Sequence, residues 1–246
     1  MRHLIILICC SLFGVQLFAI YPAANDILQR IDQNMVVRTM KARTKMVVQG
    51  RRASRTLESL NWTQGEDKAY AEYLSPPREK GTKMLKDGDN LWIYDPGTDR
   101  IIQISGNMLK QSVMGSDLSY EDFMEEDKLQ QMYTAEVTGE KTFAGRACWI
   151  LKLTARQSDV SYPSRLMCVD KERFLPLYEE RYAKSGKLLK TTTIQAVMQV
   201  KDRWYPQQVL YKDELSKGKG TLFVIDTIEI DLPVPAHIFT KASLKK

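Results

Sequence analysis

The residues of this chain that could make and break covalent bonds do not form a recognisable catalytic set. Histidine is nearly absent, because His3 lies in the N-terminal apolar stretch and His237 stands alone near the C-terminus. A Ser–His or Cys–His catalytic set would therefore have to be built on His237 alone. The chain also lacks a G-x-S-x-G sequence, a phosphate loop and a dinucleotide-binding fingerprint. These features argue against nucleophilic hydrolases and nucleotide-dependent enzymes.

Carboxylates are the other candidates for chemistry. Glu179 and Glu180 are neighbours on a predicted strand, so they point to opposite faces and cannot act as a pair. Glu121 and Asp122 lie at the start of a predicted helix, where negative charge is favourable for structural reasons alone. A carboxylate-based hydrolase remains an unsupported alternative. We predict that the protein is not an enzyme and uses no cofactor or metal.

The N-terminus has the pattern of a secretory signal peptide. Arg2 supplies a short positive region, Leu4–Phe18 is apolar, and Ala19 is a small residue at which cleavage can occur. The apolar stretch is short for a membrane span, although an uncleaved anchor is the alternative. We therefore predict that residues 1–19 are removed and that residues 20–246 form a single exported domain.

Export would place the two remaining cysteines, Cys148 and Cys168, in an oxidising compartment. Ser158 lies midway between them, and a hairpin that turned there would put the cysteines directly opposite each other. Opposed Cα atoms about 4.5–5.5 Å apart can accept a disulfide. A disulfide and a pair of buried free thiols both remain open. Two cysteines and one histidine are too few for an ordinary structural zinc site.

The composition is that of a folded domain with a sizeable core. The chain has 246 residues, 43% of them hydrophobic and 27% charged. The formal net charge is +6, but lysine and arginine are spread along the chain among acidic residues. We expect a solvated basic surface, with attraction to an anionic membrane as the alternative. Nucleic acid is not an expected partner.

The dominant pattern is an alternation of apolar and polar residues with a period of two. In Thr39–Gln49, for example, Met40, Ala42 and Met46 alternate with charged or polar residues, and only Val47 breaks the pattern. Turn residues separate successive segments. The predicted strands are Thr39–Gln49, Thr56–Trp62, Lys68–Leu74, Thr82–Lys86, Leu91–Tyr94, Arg100–Ser105, Tyr133–Thr138, Ala147–Thr154, Arg165–Asp170, Leu177–Tyr182, Leu188–Val200, Tyr205–Tyr211 and Thr221–Ile230.

Two segments have helical character instead. Asn25 and Asp26 are candidate caps of a first helix with apolar residues at helical spacing up to Met35. A second segment, 107–131, interrupts the strands, and its Ser119-x-x-Asp122 sequence resembles a capping box. A curved sheet with a helical cover can enclose an apolar pocket, which is the architecture we predict.

Aromatic, aliphatic and methionine residues are the best candidates for lining such a pocket. An acyl chain of about fifteen methylenes would gain on the order of 12 kcal/mol gross from burial, at roughly 0.8 kcal/mol each. Apolar surface alone could therefore hold a lipid, although plain core packing is the alternative for each residue. Strand parity selects Trp92, Tyr94, Ile102, Ile104, Trp149, Leu151 and Met46.

Several motifs together resemble a known family. The most characteristic is Met114-Gly-Ser-Asp-Leu-Ser-Tyr-Glu-Asp-Phe123, which contains a Gly-Ser-Asp-x-Ser sequence. With the other motifs it resembles one branch of the outer-membrane lipoprotein-sorting protein family, which has the LolA-like fold. The resemblance covers about residues 25–244. The other motifs are Ser75-Pro-Pro-Arg-Glu-Lys-Gly-Thr82, Leu91-Trp-Ile-Tyr-Asp-Pro96, Arg100-Ile-Ile102, Trp204-Tyr-Pro206 and Ile238-Phe-Thr240.

The resemblance implies a mainly β protein, a strongly curved, unclosed antiparallel β-barrel with helices covering its concave face. It implies a monomeric periplasmic carrier that shields acyl chains of lipids or lipoproteins, with an inner-membrane transporter and an outer-membrane acceptor as partners. In that setting Gly115, Ser116 and Asp117 are expected to form a structural corner that places the covering helix. The alternative is a structural or signalling module, or an accessory protein of a transporter that exports hydrophobic molecules.

Overall fold

The computed structural model describes residues 21–124, 129–158 and 160–245. The predicted signal peptide, residues 1–19, lies outside these ranges. One helix, α1 (Ala24–Met35), precedes thirteen strands, and a largely irregular segment separates the sixth strand from the seventh.

All thirteen predicted strands form, mostly with one or two more residues at their ends. The apolar and polar alternation explains this agreement, since it lets one side of each strand be buried while the other faces solvent or a second layer. The strands are β1 (Thr39–Gln49), β2 (Ser54–Gln64), β3 (Lys68–Ser75), β4 (Lys83–Asp87), β5 (Asn90–Asp95), β6 (Arg100–Ile104), β7 (Tyr133–Phe143), β8 (Arg146–Ala155), β9 (Ser164–Asp170), β10 (Pro176–Tyr182), β11 (Leu188–Val200), β12 (Arg203–Asp213) and β13 (Gly220–Ile230).

The strands form one antiparallel sheet in the order β6-β5-β4-β3-β2-β1-β13-β12-β11-β10-β9-β8-β7. Every neighbouring pair is consecutive in the chain except β1 and β13, which pair from Met40 opposite Ile230 to Gln49 opposite Gly220. The two edges of the sheet are β6 and β7. The sheet is therefore not closed, and the chain between these strands connects one edge to the other.

A short helix shows that the sheet is strongly curved. The helix α2 (Tyr120–Met124) is only five residues long, about 7.5 Å. Its Met124 carbonyl accepts a hydrogen bond from Lys86 of β4, and its Asp122 forms an ion pair with Lys190 of β11. Those strands are six steps apart in the sheet, about 29 Å if the sheet were flat. The sheet must bend around the helix, which confirms the predicted unclosed barrel with helices on its concave face.

The concave face, called the inner face below, is covered by α1 and by the described residues 105–124 and 129–132, called the connecting segment. The connecting segment contains two 3-10 turns, Gly106–Lys110 and Val113–Gly115, the helix α2 and the helix α3 (Leu129–Met132). The predicted helical interruption is thus helical only in short pieces. Left-handed backbone angles at Gly106 (φ 53°), Met114 (φ 48°) and Gly115 (φ 65°) prevent one continuous helix.

Two apolar clusters lie on the inner face. In the first, called the α1 cluster, Ile27, Leu28 and Ile31 pack against β7, β8 and β9, through Tyr133, Trp149, Leu151, Leu153, Met167 and Val169. In the second, called the cover cluster, Val113 and Tyr120 of the connecting segment pack against the other half of the sheet, through Met46, Leu57, Tyr73, Met84, Leu91 and Ile104.

The convex outer face carries a layer of its own. Residues 234–245, called the C-terminal segment, form two 3-10 turns that lie across β2 to β6. Phe239 and Leu244 of this segment are 4% and 0% exposed and pack on Tyr70 and Leu85. The first half of the sheet is therefore buried on both faces.

The position of the C-terminal segment shows that part of the predicted pocket lining lies on the wrong face of the sheet. Trp92 and Tyr94 do share a face, but it is the outer face, where both pack with the C-terminal segment. Leu91 pairs with Ile104 and Trp92 with Gln103, so Trp92 and Ile104 point in opposite directions. The prediction that these residues line one pocket is therefore wrong. Alternation showed which residues share a face, but it could not show which face is concave.

The predicted opposition of Cys148 and Cys168 is also wrong. Cys148 pairs with Asp170, and Cys168 pairs with Ile150. The loop between β8 and β9 spans residues 156–163, so its centre lies beyond Ser158 and the register shifts by two residues. Both thiols are buried and free.

We predict that the C-terminal segment contributes to stability through apolar burial. Leu244→Ala should lower the free energy of unfolding by about 2–4 kcal/mol, because a fully buried leucine is truncated. Leu215→Ala is the matched control, since Leu215 is 58% exposed and its truncation should cost less than about 0.5 kcal/mol. Urea unfolding measures both, and an equal effect of the two changes would contradict the role of this layer.

Candidate functional site

The candidate site is the part of the inner face that lies under the connecting segment. Val113 is fully buried there, Tyr120 is 8% exposed, and Phe123 packs beside them on the sheet. These side chains cover the apolar concave surface of this half of the sheet. An acyl chain could reach it only if the connecting segment were displaced.

Two cavities in the described part of the chain lie elsewhere. One, of about 270 Å³, is at the rim of the inner face, between Gly50 and Gly218 of two hairpin turns and Asp117 of the connecting segment. The other, of about 220 Å³, is on the outer face beside His237 and Trp62. Neither is an enclosed apolar space between α2 and the sheet. We call this arrangement, with the cover residues packed on the inner face, the closed form.

The N-terminus of α2 is built around Asp122. Its Oδ2 atom accepts hydrogen bonds from the backbone amide and the hydroxyl of Ser119, both at 2.7 Å, while the Asp122 amide donates to Ser119 Oγ at 3.3 Å. This is the predicted capping box, in which the two residues satisfy each other's backbone groups. Asp122 is only 7% exposed, so its charge also needs partners beyond the helix.

Those partners come from the sheet. Asp122 forms ion pairs with Lys190 of β11 and, at 3.3 Å, with Arg181 of β10, and it accepts a hydrogen bond from the Tyr162 hydroxyl at 2.7 Å. The carboxylate therefore links the connecting segment to the opposite wall of the barrel. Because it is buried, each of these charge-assisted contacts is stronger than it would be on the surface.

A second acid extends this network along the sheet. Glu179 accepts hydrogen bonds from Arg165 at 3.2 Å and from Arg181 at 3.1 Å, and Arg165 also donates to the Tyr133 hydroxyl at 2.8 Å. Glu179 and Arg165 are 5% and 4% exposed. The charged cluster is defined as Asp122, Arg165, Glu179, Arg181 and Lys190.

The charged cluster holds both acids ionised. Burial by itself would raise the pKa of Asp122, but the positive charges of Lys190 and Arg181 and the hydrogen bonds outweigh it, so the pKa is below its ordinary value. The same balance lowers the pKa of Glu179, where burial is opposed by Arg181 and Arg165. Both carboxylates are thus charged acceptors at neutral pH, with their oxygens already engaged.

The connecting segment makes further polar contacts with the sheet. Lys86 Nζ donates to the Met124 carbonyl at 3.3 Å, which satisfies an orphan acceptor at the C-terminus of α2. At the opposite end, Asp117 Oδ2 accepts from the Thr221 hydroxyl at 2.7 Å, and Asp117 Oδ1 accepts from the Asp213 amide at 3.0 Å. The segment is therefore tied to β4, β12 and β13 as well as to β10 and β11.

The Gly115-Ser116-Asp117 motif forms the turn that makes the contact with β12 and β13. Gly115 has φ 65°, and a Cβ atom there would lie 3.0 Å from Arg55 Nη2. Ser116 Oγ accepts the Leu118 amide at 3.2 Å, which tightens the turn. Glycine thus provides both the left-handed conformation and the space that this turn requires.

The predicted lining residues fall in three places. Met46 and Ile104 lie in the cover cluster on the inner face, and Trp149 and Leu151 lie in the α1 cluster. Ile102 has the inner-face parity, but it is on the edge strand β6 and is 45% exposed. The structure therefore does not bring the seven residues together, and Trp92 and Tyr94 lie on the outer face as described above.

Sequence reasoning missed the charged cluster. Glu179 and Arg181 are two residues apart on β10, so their shared face was readable from the strand. The links of Arg181 and Lys190 to Asp122 were not, because they join residues separated by 59 and 68 positions in the chain. Within the described ranges, no group of three histidine, cysteine, aspartate or glutamate residues could hold a metal ion.

Comparison with known proteins gives a family assignment. A family model described as "Uncharacterized protein", with the suffix "-like", matches residues 65–246, which is more than half of the chain. The chain belongs to this family. No curated protein matches it in sequence. Within the described residues, no helix combines the length and the apolar character that crossing a bilayer requires.

Solved structures with the same architecture show that the fold of this family member is LolA-like. An outer membrane lipoprotein-sorting protein domain from Vibrio parahaemolyticus is 22% identical with a TM-score of 0.80, over 90% of this chain and 98% of that one. A DUF1329 family protein from Desulfovibrio piger is 22% identical with a TM-score of 0.82, over 89% and 97% of the two chains. A LolA superfamily protein from Nitrosomonas europaea is 20% identical with a TM-score of 0.74, over 91% and 100%.

We predict that Asp122→Asn loosens the connecting segment. The substitution keeps the shape of the side chain but leaves Lys190 and Arg181 without their shared counter-charge, which should cost about 3–5 kcal/mol of unfolding free energy. Glu121→Gln is the matched control on the same helix and should change it by less than about 0.5 kcal/mol. Hydrogen exchange of the amides of α2, measured beside urea unfolding, should rise only in Asp122→Asn. Equal protection in both variants would contradict the role of this ion pair.

Stability should also fall on acidification in a way that depends on these acids. The pKa values of Asp122 and Glu179 are below their ordinary values of 3.8 and 4.5, so their contribution is present above those values and is lost as pH falls through the folded-state pKa. Urea unfolding at several pH values below about 4.5 should show a steep loss for the natural protein and a shallower one for Asp122→Asn. Parallel curves for the two proteins would exclude this linkage.

Proposed function

We propose that the protein is a periplasmic carrier that takes acyl chains of lipids or lipoproteins onto its inner face and moves them between the inner and outer membranes. The main observation in support is that a broad apolar surface, formed by the cover cluster, lies beneath a segment tied down by polar contacts. The LolA-like fold and the sorting domain from Vibrio parahaemolyticus support the same proposal. The sequence of residues 1–19 supports export.

In this proposal the apolar side chains of the connecting segment occupy the surface that the acyl chain would otherwise cover. In the closed form, Val113, Tyr120 and Phe123 protect the apolar inner face from water. An acyl chain that displaced them would bury its own methylenes against the same surface, at roughly 0.8 kcal/mol each. The gain is offset by exposure of the cover residues and by ordering of the chain. Exchange of similar apolar surfaces permits release as well as uptake, which a carrier needs.

The proposal does not include catalysis. Asp122 and Glu179 are buried acids of the inner face, and both are ionised, with each carboxylate oxygen accepting at least one hydrogen bond. A general acid would need a raised pKa and a proton to donate. The charged cluster therefore serves positioning in this proposal.

A second candidate function is a module that acts through protein contacts, such as an accessory protein of a transporter that exports hydrophobic molecules. The filled inner face of the closed form favours it. A protein that acts through its outer surface needs no binding pocket, so its own side chains can fill the space between the cover and the sheet. Native mass spectrometry of protein purified from the periplasm separates the two functions. Bound lipid in repeated preparations supports the carrier, whereas empty protein that takes up no added lipid supports the module.

Locking the connecting segment should abolish acyl-chain binding. Asp117 and Thr221 are in side-chain contact at 2.7 Å, so the variant Asp117→Cys/Thr221→Cys can join the segment to β13 by a disulfide. Binding of a fluorescent fatty acid should be at least about tenfold weaker in the oxidised variant than in the same protein after reduction. The buried natural cysteines can stay in place.

The reduced double variant controls for the lost polar contacts, and oxidised Asp117→Cys alone controls for the treatment. Peptide mapping verifies the new bond. Equal affinity of the oxidised and reduced double variant would reject displacement of this corner as a step in binding.

A further inference from the structure

The fold gathers the turns of several hairpins at one end of the sheet. In an antiparallel sheet of consecutive strands, successive turns alternate between the two ends. The turn from β1 to β2 lies beside the turn from β12 to β13, because the Lys219 amide donates to the Gln49 carbonyl at 2.8 Å. The turn from β10 to β11 follows, because the Glu214 amide donates to the Leu189 carbonyl at 2.9 Å.

The turn from β3 to β4 lies at the same end on the other side, where Arg55 and Glu79 approach to 3.9 Å. The turn from β5 to β6, which holds Asp99, lies beyond it. We call turns 50–53, 76–82, 183–187 and 214–219 together the basic rim. Their acidic residues are Glu79 and Glu214. Their basic residues, all of them exposed, are Arg51, Arg52, Arg78, Lys80, Lys184, Lys187, Lys217 and Lys219.

The turns at the opposite end of the sheet have a different charge. Glu66 and Asp67 lie between β2 and β3, Asp89 lies between β4 and β5, and Asp202 follows Lys201 between β11 and β12. The turn from β9 to β10 is mixed, with Lys171, Glu172 and Arg173. Basic and acidic residues are mixed along the sequence, but the fold places an excess of basic residues at one end of the sheet. The molecule has a positive end, which the net charge of +6 alone does not reveal.

The side chains of the basic rim are available for a partner. Among the described residues, no ion pair within 4 Å joins its eight lysines and arginines to an acid. The rim also holds Leu215, which is 58% exposed and is followed by Lys217 and Lys219. An apolar side chain surrounded by long basic ones matches the boundary of a bilayer, where the apolar group enters and the charges remain at the headgroups.

We propose that the basic rim docks the protein on an anionic lipid bilayer, with Leu215 inserted among the headgroups. A bilayer offers diffuse negative charge without a fixed geometry, and the rim offers unpaired, flexible cations without a fixed geometry. An acidic protein partner would leave the exposed Leu215 unexplained. Because the rim also borders the cavity beside Asp117, docking would bring a corner of the connecting segment close to the membrane surface.

Binding to protein-free vesicles tests this proposal on the whole mature chain. The natural protein should co-sediment with vesicles of phosphatidylethanolamine and phosphatidylglycerol at low salt, and not with vesicles of phosphatidylcholine. Arg51→Glu/Arg52→Glu should weaken binding by at least about 25-fold, since each basic residue near the surface contributes about fivefold. The control Arg38→Glu/Lys152→Glu makes the same change in net charge away from the rim and should weaken binding less than about threefold.

Leu215→Ser separates insertion from charge. It should weaken binding several-fold while keeping the salt dependence of the natural protein, whereas the arginine double variant should reduce that dependence. An equal loss in the rim variant and its control would overturn the proposal in favour of net charge. Failure of the natural protein to bind anionic vesicles would also overturn it and favour an acidic protein partner. Fatty-acid uptake, measured separately, reports on the carrier function alone.

Discussion

The ion pairs of Asp122 are the constraint on which the closed form depends. A buried carboxylate is costly unless it is paired and hydrogen-bonded, so the chain can bury Asp122 only where Lys190, Arg181 and Tyr162 meet. That requirement places α2 against β10 and β11. The apolar contacts of Val113 and Tyr120 then add area, but such contacts are not directional and would permit many arrangements. The charged cluster selects one arrangement among them.

The two layers that cover the sheet are held in different ways. The C-terminal segment is held on the outer face by apolar burial through Phe239 and Leu244. The connecting segment combines apolar burial with polar contacts at Asp117, Asp122 and Met124. Apolar burial weakens only as area is exposed, whereas a network of ion pairs is lost when a few distances increase. The inner cover is accordingly the layer better suited to a reversible opening.

Strand positions and parity were predictable because both follow from local alternation. The segment Thr39–Gln49 was predicted with the bounds that the structure shows, and Trp92 and Tyr94 were correctly placed on a common face. The assignment of that face to the concave side failed, because both faces of this part of the sheet are buried. Alternation distinguishes buried from exposed faces, and here there is no such contrast to use.

The candidate site was less predictable than the fold. The position of Cys148 relative to Cys168 depends on where a long loop has its centre, which the sequence of the loop does not specify. The charged cluster depends on barrel curvature, because it joins α2 to strands far away in the chain. The local signs of the site were the capping pattern of Ser119 and Asp122 and the shared face of Glu179 and Arg181 on β10.

The connecting segment is also the covalent link between the two free edges of the sheet, β6 and β7. A cover anchored at both ends can swing outward but cannot diffuse away, and its return requires the closure of a loop only. In the proposed carrier, reclosing would therefore be an intramolecular event whose speed does not depend on protein concentration. The anchoring strands β6 and β7 are the two free edges of the sheet, so the proposed opening of the cover would expose the inner face next to the gap in the barrel wall.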